Sequence, residues 1–259
     1  MSERMPVLFV SHGAPTLPFD DVPARRFLIE LARKVPRPKA ILCVSAHWEA
    51  PVPSLTAAPQ LGTIHDFSGF PKALYELSYD APGAPDVAQR AAELLRAAGY
   101  DPRLDTERGR DHGVWVPTML AWPAGEIPLI QMSLLRGKST REHIALGEAI
   151  APLRDEGVLI LGSGGSVHNL RQVSWDGGRT PRWASEFQDW LDKSLAANDL
   201  AALANYRSLD VAAMAQPTED HLMPLYVALG ASHKDGGATK LHGSFTLGSL
   251  GMASYGWGM

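Results

Sequence analysis

The chain has 259 residues, 45% of them hydrophobic and 20% charged, which is enough apolar material for one sizeable domain and excludes a disordered or fibrous chain. Lys+Arg 24 against Asp+Glu 28 leaves a formal charge of -4 with no dense basic run, so nucleic acid is not an expected partner. Cys43 is the only cysteine, which excludes an intramolecular disulfide and thiolate metal sites and favours a reducing compartment.

Taken in chain order, the first apolar run predicts a strand over Pro6–Ser11. Its core, Val7–Val10, is too short for a signal peptide before Ser11 and His12 interrupt it. Helical spacing follows over Pro23–Lys34, then a strand over Ala40–Ser45 and a Gly/Pro-rich stretch, Ala50–Gly62, that reads as loop. Next come a helix over Pro85–Ala98, a strand over Pro128–Met132, a helix over Thr140–Leu153 and a strand over Val158–Ser163. Helices over Pro181–Ala196 and Asp220–Ala231, a loop over Ala231–Ala238, and closing strands over Gly243–Leu247 and Met252–Tyr255 complete the pattern. Three of these helices open on proline, whose missing N–H costs little in a first turn.

Strand and helix alternate, so residues 1–259 are expected to form a single α/β domain, a central, largely parallel or mixed sheet flanked by helices. No stretch approaches the ~18 apolar residues of a membrane span, so a cytoplasmic protein without a membrane partner is expected.

Several strands end in the same chemistry. His12 follows the first strand in Ser11-His12-Gly13-Ala14-Pro15, and His47 follows the second in Ser45-Ala46-His47-Trp48-Glu49. In an open α/β sheet, ligands bind beyond the carboxyl ends of the parallel strands, so two imidazoles there could share one metal; equally, each could cap a backbone group. A third strand runs into Gly162-Ser163-Gly164-Gly165-Ser166-Val167-His168-Asn169-Leu170. Its glycines could cradle a phosphate, but the run lacks both the Lys-Ser/Thr ending of a P-loop and the dinucleotide spacing.

His112 in Asp111-His112-Gly113 and His221 in Glu219-Asp220-His221-Leu222 each sit beside a carboxylate. His221 also fits the first turn of the helix over Asp220–Ala231, capped by Thr218. His65-Asp66-Phe67 reads either as a substrate-pocket loop or as a turn closed by Asp66. His143, expected on a helix surface, and His233 and His242, in or beside loops, read as structural. The aromatic residues Phe67, Phe70, Trp48, Trp115 and Tyr255 fit either a flat pocket or a core.

Taken as an ordered set spanning about residue 6 to Tyr255, these strings resemble the class III extradiol ring-cleavage dioxygenases, of the 4,5-DOPA extradiol type. The resemblance implies one α/β domain with a mononuclear non-haem metal at the strand ends. The reaction it implies is cleavage of a DOPA-like catechol beside its hydroxyls by O2, giving a muconic semialdehyde-type product. It makes His12, His47 and His221 the metal ligands, with Glu219 the alternative third ligand. His168 becomes the acid–base residue, with His112 beside it in catalysis and His65, Asp66 and Tyr255 toward the substrate. Iron(II) meets the redox demand of O2, while zinc fits the same ligands without supporting it. The partners implied are a small aromatic diol and O2, in a monomer or homo-oligomer. A zinc-dependent hydrolase and a non-enzymatic binding protein on the same fold are the alternatives.

Overall fold

In a computed structural model that describes residues 4–259, the first strand, β1 (Val7–Ser11), is buried throughout. Its side chains alternate between two cores: Val7 and Phe9 face one, Leu8 and Val10 the other. The same alternation splits Leu42 and Val44 from Ile41 and Cys43, and Ile160 from Leu159 and Leu161. Burial on both faces is why these strands read as unbroken apolar runs.

After β1 come α1 (Pro23–Leu31), β2 (Ala40–Ala50), β3 (Ser54–Thr56), α2 (Lys72–Tyr75), α3 (Pro85–Ala97), β4 (Arg103–Asp105) and α4 (His112–Ala121). The second half continues with β5 (Leu129–Leu135), α5 (Thr140–Ile150), β6 (Val158–Gly164), α6 (Arg182–Ala196), α7 (Leu200–Ala204), α8 (Ala212–Ala215) and α9 (Met223–Ser232). Strands β7 (Thr239–His242), β8 (Phe245–Thr246), β9 (Leu250–Gly251) and β10 (Ser254–Trp257) close the chain.

Eight strands form one mixed sheet in the order β4-β3-β5-β2-β6-β1-β10-β7, and β8 pairs with β9 separately. The centre, β5-β2-β6-β1, is parallel, whereas β3 against β5 and β10 against β1 and β7 are antiparallel. α1 and α4 cover one face; α3, α5 and α9 pack on the other. The result is a single α/β domain, as expected. No helix among the described residues is long and apolar enough to cross a membrane.

Four local expectations change. The stretch read as a loop over Ala50–Gly62 contains β3, three residues that find the partners β4 and β5 only once the sheet assembles. α4 went unpredicted because it is buried nearly all round and contains Pro117, so no amphipathic stripe marks it. The helix expected from Asp220 begins at Met223; Thr218 is no cap, and residues 219–222 form a turn that frees His221 from helical geometry. The closing segment is divided differently too, into β7, β8, β9 and β10.

Candidate active site

β1 ends at Ser11, so His12 is the first residue beyond the sheet, its N–H donating to the Gly164 carbonyl at 3.0 Å. His47 lies within β2 rather than after it. The strand continues to Ala50 across a register shift between Val44 and Glu49, and this irregularity delivers the imidazole to the same end of the sheet. β6 arrives between them and presents its last residues to the turn that carries His221: Gly165 N–H donates to the His221 carbonyl at 2.8 Å. A Cβ on Gly164 would stand 2.1 Å from that same oxygen, so only glycine lets the two segments meet.

His12, His47 and His221 thereby place one ring nitrogen each within 4.8 Å of one another. Their tautomers follow from their partners. Ser163 Oγ donates to the Gly113 carbonyl, so it accepts from His12 Nδ1–H at 3.0 Å. His221 Nδ1–H donates to Asp220 Oδ2 at 2.5 Å, and His47 Nδ1 lies 3.6 Å from Asp66 Oδ2. The Nδ1–H groups of His12 and His221 are committed outward, which leaves each of these two rings a bare lone pair on Nε2. The Nε2 atoms of His12 and His47 face each other at 3.1 Å. That separation suits two ligands about 2.0–2.1 Å from one ion at roughly 100°. The residues therefore fit a divalent metal.

Electrostatics agree. Burial, followed by the neighbouring imidazoles, holds His12 well below its ordinary value, and the same causes bring His47 down to about 2. Asp66 and Asp220 show the complement: burial pushes each carboxyl up, but hydrogen bonds to His112 and His221 outweigh it, leaving Asp66 at about 2 and Asp220 well below the carboxylate range. A neutral imidazole, as at His12 and His47, is the state a metal ligand requires.

His112 and His168 flank the cluster. Asp66 Oδ1 accepts from both the backbone N–H of His112 (2.9 Å) and its Nδ1 (3.0 Å), fixing the ring 4.0 Å from that of His47, centroid to centroid. His168 stacks on His221 with centroids 3.5 Å apart and planes within 6°. Burial, then the His221 charge, lowers His168 to about 3. Both imidazoles line a cavity of about 740 Å³ that has the three-histidine cluster at its floor.

Glu219, the alternative ligand, points elsewhere: its carboxylate accepts from Tyr206 Oη (3.0 Å) and Arg207 Nε (2.9 Å). Of the residues expected near substrate, Asp66 supports His112 and His47 instead of lining the cavity. His65 lies behind it, bonded to the Leu77 carbonyl at 3.0 Å and ringed by Phe67, Tyr75 and Trp115. Tyr255 is in the core, its hydroxyl bonded to Gln188 and Asp192 at 2.6 Å each, because β10 pairs with β1 and turns that side chain toward α6. Phe67 and Phe70 do line the cavity; Trp48 and Trp115 do not. His143 is buried rather than exposed, accepting the Leu135 N–H at 3.1 Å.

Sequence reasoning missed the support beneath the floor. A Cβ on Gly113 would lie 2.3 Å from Ser45 Oγ, 3.0 Å from the His47 ring and 3.2 Å from the His12 ring. Ser45 in turn donates to buried Asp111 at 2.7 Å and accepts the His47 N–H at 3.2 Å. The only sequence signal was that His112 sits between Asp111 and Gly113.

Comparison with known proteins agrees with this geometry. Residues 7–258 match the family model described as the catalytic LigB subunit of aromatic ring-opening dioxygenase. The chain belongs to this dioxygenase family. It is 38% identical over 252 residues to a 4,5-DOPA dioxygenase extradiol of Beta vulgaris, covering 95% of this chain and 94% of the relative. An Escherichia coli K12 protein of the same name is 39% identical over 258 residues, covering 98% and 94%. The crystal structure of an uncharacterized protein from Escherichia coli K12 superposes with a TM-score of 0.84 at 34% identity, covering 98% of this chain and all of that one. Membership in an enzyme family of this kind displaces the hydrolase and binding-protein alternatives.

Proposed function

We propose that this protein opens the ring of a catechol beside its two hydroxyls, with O2, at the histidine cluster. The observation that carries the reading is the convergence of three histidine ring nitrogens on the floor of a cavity whose walls supply His168 and His112. A divalent metal held by His12, His47 and His221 would supply the positive charge that ionises a catechol and, as iron(II), would relay electrons from the catechol to O2.

The chain's own residues do the rest. His168, neutral at physiological pH, accepts the proton of a substrate hydroxyl. The imidazolium so formed returns that proton later in the cycle. His112, with Nδ1 tied to Asp66, keeps Nε2 toward the cavity to hold a substrate oxygen or O2. Phe67, edge-on to His112 at 5.7 Å between centroids, gives the aromatic ring a flat apolar wall. The names of the relatives support a DOPA-like catechol as the first compound to test.

The test is to strip the protein, load iron(II) anaerobically, and admit oxygen with catechol or DOPA. Oxygen uptake with a yellow semialdehyde is expected, while the zinc form should bind the diol without turnover. If neither iron(II) nor manganese(II) supports uptake with any catechol, the reading fails.

A further inference from the structure

The cavity is much larger than its chemistry needs. Its volume of about 740 Å³ falls within the roughly 300–1,000 Å³ of sites that hold drug-sized ligands, several times what one benzenediol ring fills. Away from the histidine floor the walls are apolar, with Leu17, Leu250 and Met252 following Phe67 and Phe70. At the mouth stand Trp175, Leu170 and Phe19, which are 76%, 61% and 57% exposed. These are the three most exposed large hydrophobic side chains among the described residues, and all three line this one cavity. Exposed apolar groups so gathered mark a surface that a ligand covers.

Charge adds a second, independent constraint. Among the described residues lining the cavity none is lysine or arginine; apart from the histidines, the ionisable side chains are those of Asp20 and Asp21. Asp20 accepts from Thr16 Oγ1 at 2.8 Å. The nearby guanidiniums are directed elsewhere: Arg25 donates to the Pro18 carbonyl at 2.9 Å and Arg26 pairs with Asp21. Arg171, next to Leu170, is exposed and outside the wall. A substrate carboxylate here would lose its water without gaining a cation, and would face Asp20.

We infer that the site selects catechols bearing an extended apolar substituent and no carboxylate, with the diol at the histidine floor and the substituent running out over Leu170 and Trp175. This rests on the ring-opening reading and narrows its substrate class.

Binding is measured by calorimetry on the zinc-loaded protein, which needs no turnover, with 4-hexylcatechol, catechol and DOPA. Affinity is expected to fall in that order, with 4-hexylcatechol at least tenfold tighter than DOPA. Trp175→Ala and Leu170→Ala should each weaken 4-hexylcatechol at least five times more than catechol, whereas Arg171→Ala should leave the order unchanged. DOPA binding as tightly as 4-hexylcatechol, loss of DOPA binding in Arg171→Ala, or no binding by any of the three overturns the inference. Oxygen uptake by the iron(II) form is read separately: the binding order without uptake sinks ring opening alone, and uptake that favours DOPA sinks the selectivity alone.

Discussion

At the floor of the cavity the Nδ1 of His12 is bonded to Ser163 and that of His221 to Asp220, and the Asp66 carboxylate lies 3.6 Å from that of His47. At the mouth, Trp175, Leu170 and Phe19 have no such anchoring and stand in solvent. The floor is made of strand ends and the turn before α9, where the backbone is committed to the sheet and even a methyl group on Gly113 finds no room. The mouth is made of loops. The contrast teaches where tolerance lies: the floor is packed so that added atoms have no room, and the mouth carries side chains that can change without touching the fold.

The largest effects should come from breaking the floor. Alanine at His12, His47 or His221 is expected to abolish stoichiometric metal binding, read by metal analysis of folded protein, whereas Glu219→Ala should keep its metal because that carboxylate serves Tyr206 and Arg207. A retained metal in His221→Ala with loss in Glu219→Ala would reverse the assignment. Next in size, His168→Ala should retain the metal and lose about 10²–10⁴-fold in turnover. Turnover near that of the unmodified enzyme at every pH would remove this imidazole from the reaction.

Acid should also separate the two regions. His47 and His168, lowered to about 2 and about 3, stay unprotonated in the folded metal-free protein, but in the unfolded chain they take up protons near pH 6.5. The unfolded state then binds more protons, so the stability these groups contribute is full above about pH 6.5 and is lost progressively as pH falls. Urea midpoints of the metal-free protein should decline from pH 7.5 to 5; a flat profile would mean that the floor is open to water.

The smallest effects set floor against mouth directly. Gly113→Ala forces a Cβ against Ser45 and His47 and should cost about 1–3 kcal/mol of stability. Trp175→Ala, at an exposed position, should change stability by less than about 0.5 kcal/mol. Comparable losses in the two variants, measured by denaturant unfolding, would erase the distinction.

How much of this was legible beforehand depended on range. The four central strands showed as apolar runs because both sheet faces are covered, and His12 and His168 stood out because each follows such a run. α4 was invisible because total burial removes the polar face that periodicity detects, and β3 because three residues carry no pattern without their neighbours. Tyr255 seemed available to substrate only while the pairing of β10 was unknown.

The sequence by itself determined the α/β alternation, the strand-end histidines and the family they resemble, since these depend on local period and residue type. Only the tertiary structure decided that His221 rather than Glu219 meets His12 and His47, that Asp66 bonds His112 outside the cavity wall, and that no lysine or arginine among the described residues lines the cavity. Those outcomes depend on which segments the sheet order brings within a few ångströms of each other, and hydrogen bonds and charges act only across such distances.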